Sequence, residues 1–268
     1  MKQSGRSETV GNAYRIFLEA KQSDGLRPRY LGDLRDRLRR FADDFAERKL
    51  SDISSAQIDR WLRELDLAPG SRNTFHTRLR TFFEFANCRG WTSVNPVADV
   101  SKAKVISQPP AILTPEQIAR LLESASPETL PFWLLGAFAG LRSAEIERLQ
   151  WRHIKWDERL IEVDAASSKT ASRRLITMLP NLLEWLEPYR HHHGPICLPG
   201  HYQHLVADRE RAGIEIWPGN GLRHSYASYH LAFFKDAPGL SLELGHVQPQ
   251  TVFAHYREVV SPGEAQKY

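Results

Sequence analysis

The helical periodicity that runs through the first part of this chain stops at residues 101–112, SKAKVISQPPAI. Pro109-Pro110 removes two backbone donors and holds the preceding residue extended, so no helix continues through this stretch. It reads as an extended linker. The 268 residues therefore divide into a first domain over 1–100, the linker over 101–112 and a second domain over 113–268. Each domain is long enough to bury its own core.

The first domain reads as four amphipathic helices. Val10, Ala13, Tyr14, Phe17 and Leu18 form one apolar stripe, and Gly25 stops it. Leu31, Leu34, Leu38, Phe41 and Phe45 form the second, and Ile58, Trp61, Leu62 and Leu65 the third. Phe75, Leu79, Phe82, Phe83 and Ala86 form the last, with Ala68-Pro69-Gly70-Ser71 as punctuation before it and Gly90 and Asn95-Pro96 after it. The opposite faces carry arginines from Arg27 to Arg89, Arg72 and Arg78 among them. Two readings fit that stripe: a solvated helix face, or a surface that tracks DNA phosphates. The formal net charge of +4 permits a polyanionic partner without requiring one.

The second domain is mixed. Thr114-Pro115-Glu116-Gln117 supplies an N-cap, a first-position proline and a third-position glutamine, which opens a helix running to about Ser124. Phe132 to Ala139 is nearly all apolar and predicts a buried helix that ends near Gly140, and Ser143 is placed to cap a short helix through Leu149. Between His153 and Ile176 the pattern changes to a three-stranded antiparallel meander with turns at Asp157-Glu158 and Ser167-Ser168-Lys169. Helical spacing returns after Pro180, then around Leu222 to Phe234, then around Leu240 to Gly245. The expected fold class is mainly α with a small antiparallel β-sheet.

Composition closes several routes. Cys88 and Cys197 are the two cysteines, in no metal-ligand spacing, so a disulfide framework and a cysteine zinc site are excluded and a reducing compartment fits. No stretch approaches the roughly 18 continuous apolar residues of a membrane span, and the first residues lack a signal h-region. A cytoplasmic protein with no membrane partner is expected. His191 to His193, with His201 and His204, lack a companion carboxylate or cysteine and are explained equally well by a polar loop, so no metal site is assigned.

Four segments of the second domain carry chemistry-bearing residues: Ala139-Gly140-Leu141-Arg142-Ser143-Ala144-Glu145-Ile146; Ser168-Lys169-Thr170 at a strand turn; Leu222-Arg223-His224-Ser225; and Leu244-Gly245-His246, followed ten residues later by Tyr256. In this order and behind an arginine-bearing helical domain, they resemble the catalytic domain of the tyrosine recombinase (phage integrase) family. The first domain resembles the family's core-binding domain, down to Arg89-Gly90-Trp91 and Asn95-Pro96-Val97. The resemblance covers nearly the whole chain.

The resemblance implies a site-specific recombinase that cleaves and rejoins DNA through a 3′-phosphotyrosyl link, with no cofactor. Tyr256 is then the nucleophile, Arg142 and Arg223 the phosphate clamp, Lys169 the acid for the departing 5′ oxygen, and His246 a ligand of the phosphate or a support for the tyrosine. Arginine suits the clamp because its planar fork donates two hydrogen bonds and keeps its charge. Glu145, three residues beyond Arg142, is placed to orient it, and equally fits as an acid of the helix's first turn. Arg72 and Arg78 are expected to bind DNA, and Arg173 and Arg174 to meet the DNA backbone or solvent. The implied partners are double-stranded DNA, further copies of the chain as a tetramer on paired sites, and accessory proteins of a mobile element.

One position departs from the family's His-x-x-Arg: Asn220 stands where the histidine is expected. An amide donates to a phosphate oxygen but accepts no proton at neutral pH, so the general-base half of that role is lost and Asn220 keeps the electrostatic half. His224 and His255 are the candidate substitutes, although Arg223 and His224, as neighbours on one helix, are expected to point to different faces. A DNA-binding relative that no longer cleaves, and a topoisomerase-like relaxing enzyme, are the alternative readings.

Overall fold

The computed structural model describes residues 8–106, 108–164, 173–245 and 249–268. The chain folds into two compact units, Met1–Ser107 and Gln108–Tyr268.

In the first unit, α1 (Val10–Ser23), α2 (Pro28–Asp44), α3 (Ser55–Glu64) and α4 (Pro69–Cys88) form a helical bundle. Their starts follow local rules. Thr9 accepts the Asn12 N–H, Ser54 and Gln57 cap each other's backbone reciprocally, and Pro28 and Pro69 occupy first-turn positions where a missing N–H costs nothing. The stripes meet in one core, where the Phe17 and Phe82 rings lie edge to face 5.6 Å apart and Phe41 meets Trp61 at 5.1 Å. The Trp61 indole N–H, which a wholly apolar core would strand, donates to Asp44 at 2.7 Å. Part of the stretch beyond residue 100 belongs to this unit: Asn73 clasps Ala103 through two backbone hydrogen bonds of 2.8 Å.

The second unit is built around α6 (Leu130–Ala139), buried on every side. A helix apolar all round has no solvent face to offer, so other elements cover it: α5 (Pro115–Ser124), α8 (Pro180–Leu186) and α10 (Gly221–Phe234) pack against it. The crossing with α10 is close because residue 136 is glycine; a Cβ there would sit 2.6 Å from a Leu222 methyl carbon. The sheet is a three-stranded antiparallel meander, β1 (Ile154–Lys155), β2 (Leu160–Val163) and β3 (Arg174–Thr177), with Ile161 opposite Ile176 on the buried face. The short α7 (Ser143–Ile146) precedes it, and α9 (His201–Arg211), α11 (Ala237–Leu244), α12 (Pro249–Tyr256) and α13 (Pro262–Ala265) complete the unit.

Three local expectations need correction. Ser143 is the first helical residue of α7 rather than its cap; Arg142 occupies the cap position, with extended backbone. The polar segment around His201 and His204 is the helix α9, which buries little beyond Leu205 and Asp208 and so carries almost no apolar period. Its anchor is polar: buried Asp208 accepts from the Thr129 hydroxyl at 2.5 Å and the Trp133 indole at 2.7 Å, and pairs with Arg211. Arg174, expected to face DNA or solvent, is 8% exposed on the inward face of β3, beside Ile176.

Candidate active site

Gly140 ends α6 in left-handed backbone at φ +60°, and a Cβ there would lie 2.3 Å from the Tyr226 ring. Only glycine meets both conditions, and the reversal it makes delivers Arg142 to the start of α7. There Arg142 donates from Nη1 to Glu145 Oε1 at 2.9 Å, while its backbone N–H donates to Oε2 at 3.0 Å. Glu145 is buried and takes a second cation: Arg174 donates to both its oxygens, at 3.2 and 2.7 Å, and donates from Nε to the Glu243 carbonyl at 2.7 Å. Burial pushes the Glu145 carboxyl up, but the hydrogen bonds and charge of Arg174, joined by Arg142, outweigh it and hold it below the usual carboxylate range. Glu145 therefore stays ionised between two guanidiniums, and Arg142 is 22% exposed at its side chain.

Arg223 comes from the first turn of α10. It donates to the Gly140 carbonyl at 2.8 Å and the Leu244 carbonyl at 2.6 Å, tying the ends of α6 and α11 to one guanidinium. Burial first, and the nearby Arg142 second, push its pKa down to about 9, which leaves it a cation at neutral pH. Asn220 sits just before α10 in left-handed backbone, φ +55°, a conformation asparagine tolerates better than most residues. It lines the same cavity as Arg142, Ser143 and Arg223.

Tyr256 closes α12 and is 4% exposed. Its hydroxyl lies 3.0 Å from His224 Nδ1. Burial raises the phenol's pKa, and the charges of Arg223 and then Arg142 pull the other way, so the ring oxygen lies within electrostatic reach of both arginines. Three other tyrosines differ in their partners: Tyr226 donates to Glu243 at 3.0 Å, Tyr229 to the Leu113 carbonyl at 3.2 Å, and Tyr268 to the Ala137 carbonyl. Those acceptors hold phenols in place, and burial raises all three well above their ordinary range, Tyr229 to about 12.

The structure thus brings together Arg142, Glu145, Asn220, Arg223 and Tyr256, and adds two residues: one that the sequence offered only as a candidate substitute for the missing histidine, and one whose role sequence reasoning missed. The first is His224. Side chains of Arg223 and His224 do diverge, yet both serve this one cluster, because α12 flanks α10 on the side that His224 faces. The signal was a titratable imidazole four residues after Asn220, which has no titratable group of its own. The second is Arg174, whose inward orientation follows from its strand alternation with Ile176. Lys169 and His246 lie outside the described residues.

In the first unit, the proposed DNA contacts separate. Arg78 is bound to Asp33 at 2.6 Å and lies over the Tyr30 ring, so its charge is already engaged. Arg72 lines a polar groove with Arg63, Asn73, His76, Lys102 and Lys104. In the second unit, Arg173 is exposed and pairs with Glu162. Among the described residues no cluster of His, Cys, Asp or Glu is arranged to hold a metal, and no helix is long and apolar enough to cross a membrane.

Comparison with known proteins addresses the family and the fold. Residues 111–261 match the family model described as the phage integrase family. A protein named as a tyrosine recombinase from Pseudothermotoga lettingae is 24% identical over 167 residues, covering 60% of this chain and 57% of the relative, so the match spans little more than half of that protein. Among solved structures, a lambda integrase dimer bound to a COC′ core site superposes with TM-score 0.77 at 16% identity, covering 94% of this chain and 78% of the other. The Tn1549 transposon integrase in complex with a circular intermediate DNA gives 0.73 at 16% identity, covering 97% and 98%. A lambda integrase tetramer bound to a Holliday junction gives 0.74 at 17%, covering 91% and 79%. At these identities the likeness is one of fold.

Proposed function

The chain belongs to the phage integrase family, and from that premise we propose that it is a site-specific DNA recombinase whose nucleophile is Tyr256. The observation that carries this reading is the placement of one tyrosine hydroxyl against an imidazole nitrogen, within the field of two arginines. Breaking a phosphodiester requires a nucleophile, fixed cations for charge developing on the phosphate oxygens, and an acid for the departing oxygen. Arg142 and Arg223 supply the cations. Both are held by contacts formed without DNA, so little reorganisation is needed when the phosphate arrives.

In the reaction, Tyr256 Oη bonds to phosphorus and the bond from phosphorus to the 5′ oxygen breaks. By the family resemblance Lys169 delivers the proton that the 5′ oxygen needs, and His246 supports the phosphate or the tyrosine. The phosphodiester's energy is kept in the 3′-phosphotyrosyl link, so a 5′ hydroxyl can attack that link and rejoin the strand without nucleotide hydrolysis. Asn220 retains a donor for a phosphate oxygen. The first unit contributes affinity through Arg72 and its basic neighbours, and duplex DNA with further copies of this chain, as a tetramer on paired sites, are the partners.

Covalent trapping tests the assignment. Nicked duplexes tiled across the DNA that flanks this protein's gene are incubated with wild type and with Tyr256→Phe, then resolved under denaturing conditions. A protein–DNA adduct from the wild type and none from the variant is the expected result. Salt-sensitive binding with no adduct from either would make the protein a binder that does not cleave.

A further inference from the structure

The phenol of Tyr256 must lose its proton as it attacks, and Asn220 cannot take it. With Tyr256 only 4% exposed, bulk water is a poor acceptor as well. Among the described residues, a basic nitrogen in reach is that of His224, four residues beyond Asn220. At the start of α10 the His224 backbone N–H donates to the Asn220 carbonyl at 2.9 Å. His224 Nδ1 lies 3.0 Å from Tyr256 Oη, and the two rings are tilted 44° with centroids 5.7 Å apart. That is hydrogen-bonding distance for direct proton transfer.

We propose that His224 is the general base of cleavage: its Nδ1 accepts the Tyr256 phenolic proton as Oη bonds to phosphorus, and returns it to that oxygen when the strand is rejoined. The assignment rests on the reading of Tyr256 as nucleophile. Proton and electron pairs balance across the step. The phenolic proton passes to imidazole, the oxygen's pair forms the bond to phosphorus, and the departing 5′ oxygen is protonated separately by the general acid.

Charges around the ring support the direction of transfer. Burial, then Arg223, then His255 hold the imidazole below its ordinary range, so before DNA binds it is neutral and carries a lone pair for the phenol. Arg142 adds a further positive charge on the Tyr256 side of the pair. A phosphate seated between the arginines offsets both cations, which makes imidazolium formation easier when substrate is in place.

Single-turnover cleavage of the trapped nicked duplex is measured for wild type, His224→Ala, His224→Gln and Tyr256→Phe, alongside DNA affinity and thermal midpoint. His224→Ala is expected to cleave about 100-fold or more slowly with DNA affinity unchanged, and added imidazole to restore part of the rate. A duplex with sulfur in place of the scissile 5′ oxygen relieves the need for the general acid alone, so it should not rescue His224→Ala. In wild type the rate should rise with pH until the imidazole is deprotonated, and in His224→Gln that limb should be missing. The Gln variant preserves bulk and carries the test if the Ala variant is unfolded. Cleavage by folded His224 variants within about threefold of wild type overturns the assignment, as does full rescue by the sulfur substrate. An adduct formed by Tyr256→Phe, or none from wild type, instead overturns the nucleophile reading, and the assignment with it.

Discussion

Two sets of arginines, one in each unit, are held in opposite ways. In the first, Arg15, Arg39, Arg63 and Arg80 lie more than half exposed, each paired with an acid one turn along its own helix. Such exposed pairs contribute little to stability and exchange readily for a phosphate. In the second, Arg174 and Arg223 are nearly buried, bound to the inner carboxylate of Glu145 and to backbone carbonyls at the ends of α6 and α11. Their partners come from residues 21 to 83 positions away in the chain, so these guanidiniums are set by the fold. Mobile surface arginines suit affinity for a polyanion; fixed buried ones suit stabilisation of a transition state.

That contrast can be broken most forcefully at Glu145. Glu145→Gln leaves Arg174 buried without its counter-charge and is expected to cost about 3–5 kcal/mol in denaturant unfolding. The pH dependence has a defined sign. A carboxyl held below its ordinary range stabilises the fold above the unfolded pKa and loses that contribution as pH falls through the folded value. The gap between wild type and variant should therefore be full at neutral pH and narrow below about pH 4; a gap independent of pH would remove Glu145's charge from the account. Next in size is Arg223→Lys. An ammonium cannot bridge two carbonyls and also present a fork to phosphate, so single-turnover cleavage should fall about 100- to 1000-fold while DNA affinity changes little. A comparable loss in affinity would place Arg223 with the surface arginines. The smallest effect is expected at Arg72→Ala: cleavage at saturating DNA stays as in wild type, and the slope of log affinity against log salt becomes shallower by about 0.9, the share of one phosphate contact. An unchanged slope would take Arg72 out of the DNA surface.

Much of the fold was legible because burial and backbone geometry leave local marks. The apolar stripes of α1 to α4, the Thr114 and Gln117 box before α5, the wholly apolar run of α6 and the alternation of β2 and β3 each describe an element without reference to the rest of the chain. Helix α9 escaped because its anchoring is a buried aspartate network rather than an apolar face. Arg174 was misplaced because arginine by type belongs outside, and only its position in phase with Ile176 contradicted that. His224 points away from Arg223, as a neighbour on one helix does, and the relation that matters, to Tyr256 32 residues further on, leaves no local mark.

What the sequence determined by itself was therefore most of the elements, the glycine that turns the chain before Arg142, and the kinds of side chain from which a phosphate site is made. The tertiary structure decided which of them meet. Tyr226, Tyr229 and Tyr268 are held by other acceptors, whereas the packing of α12 on α10 brings the Tyr256 hydroxyl to an imidazole and into the field of Arg223 and Arg142. Local periodicity reports only that a face is buried. Which partner buries it, and which polar atoms come within 3.0 Å as a result, is settled by how distant helices pack.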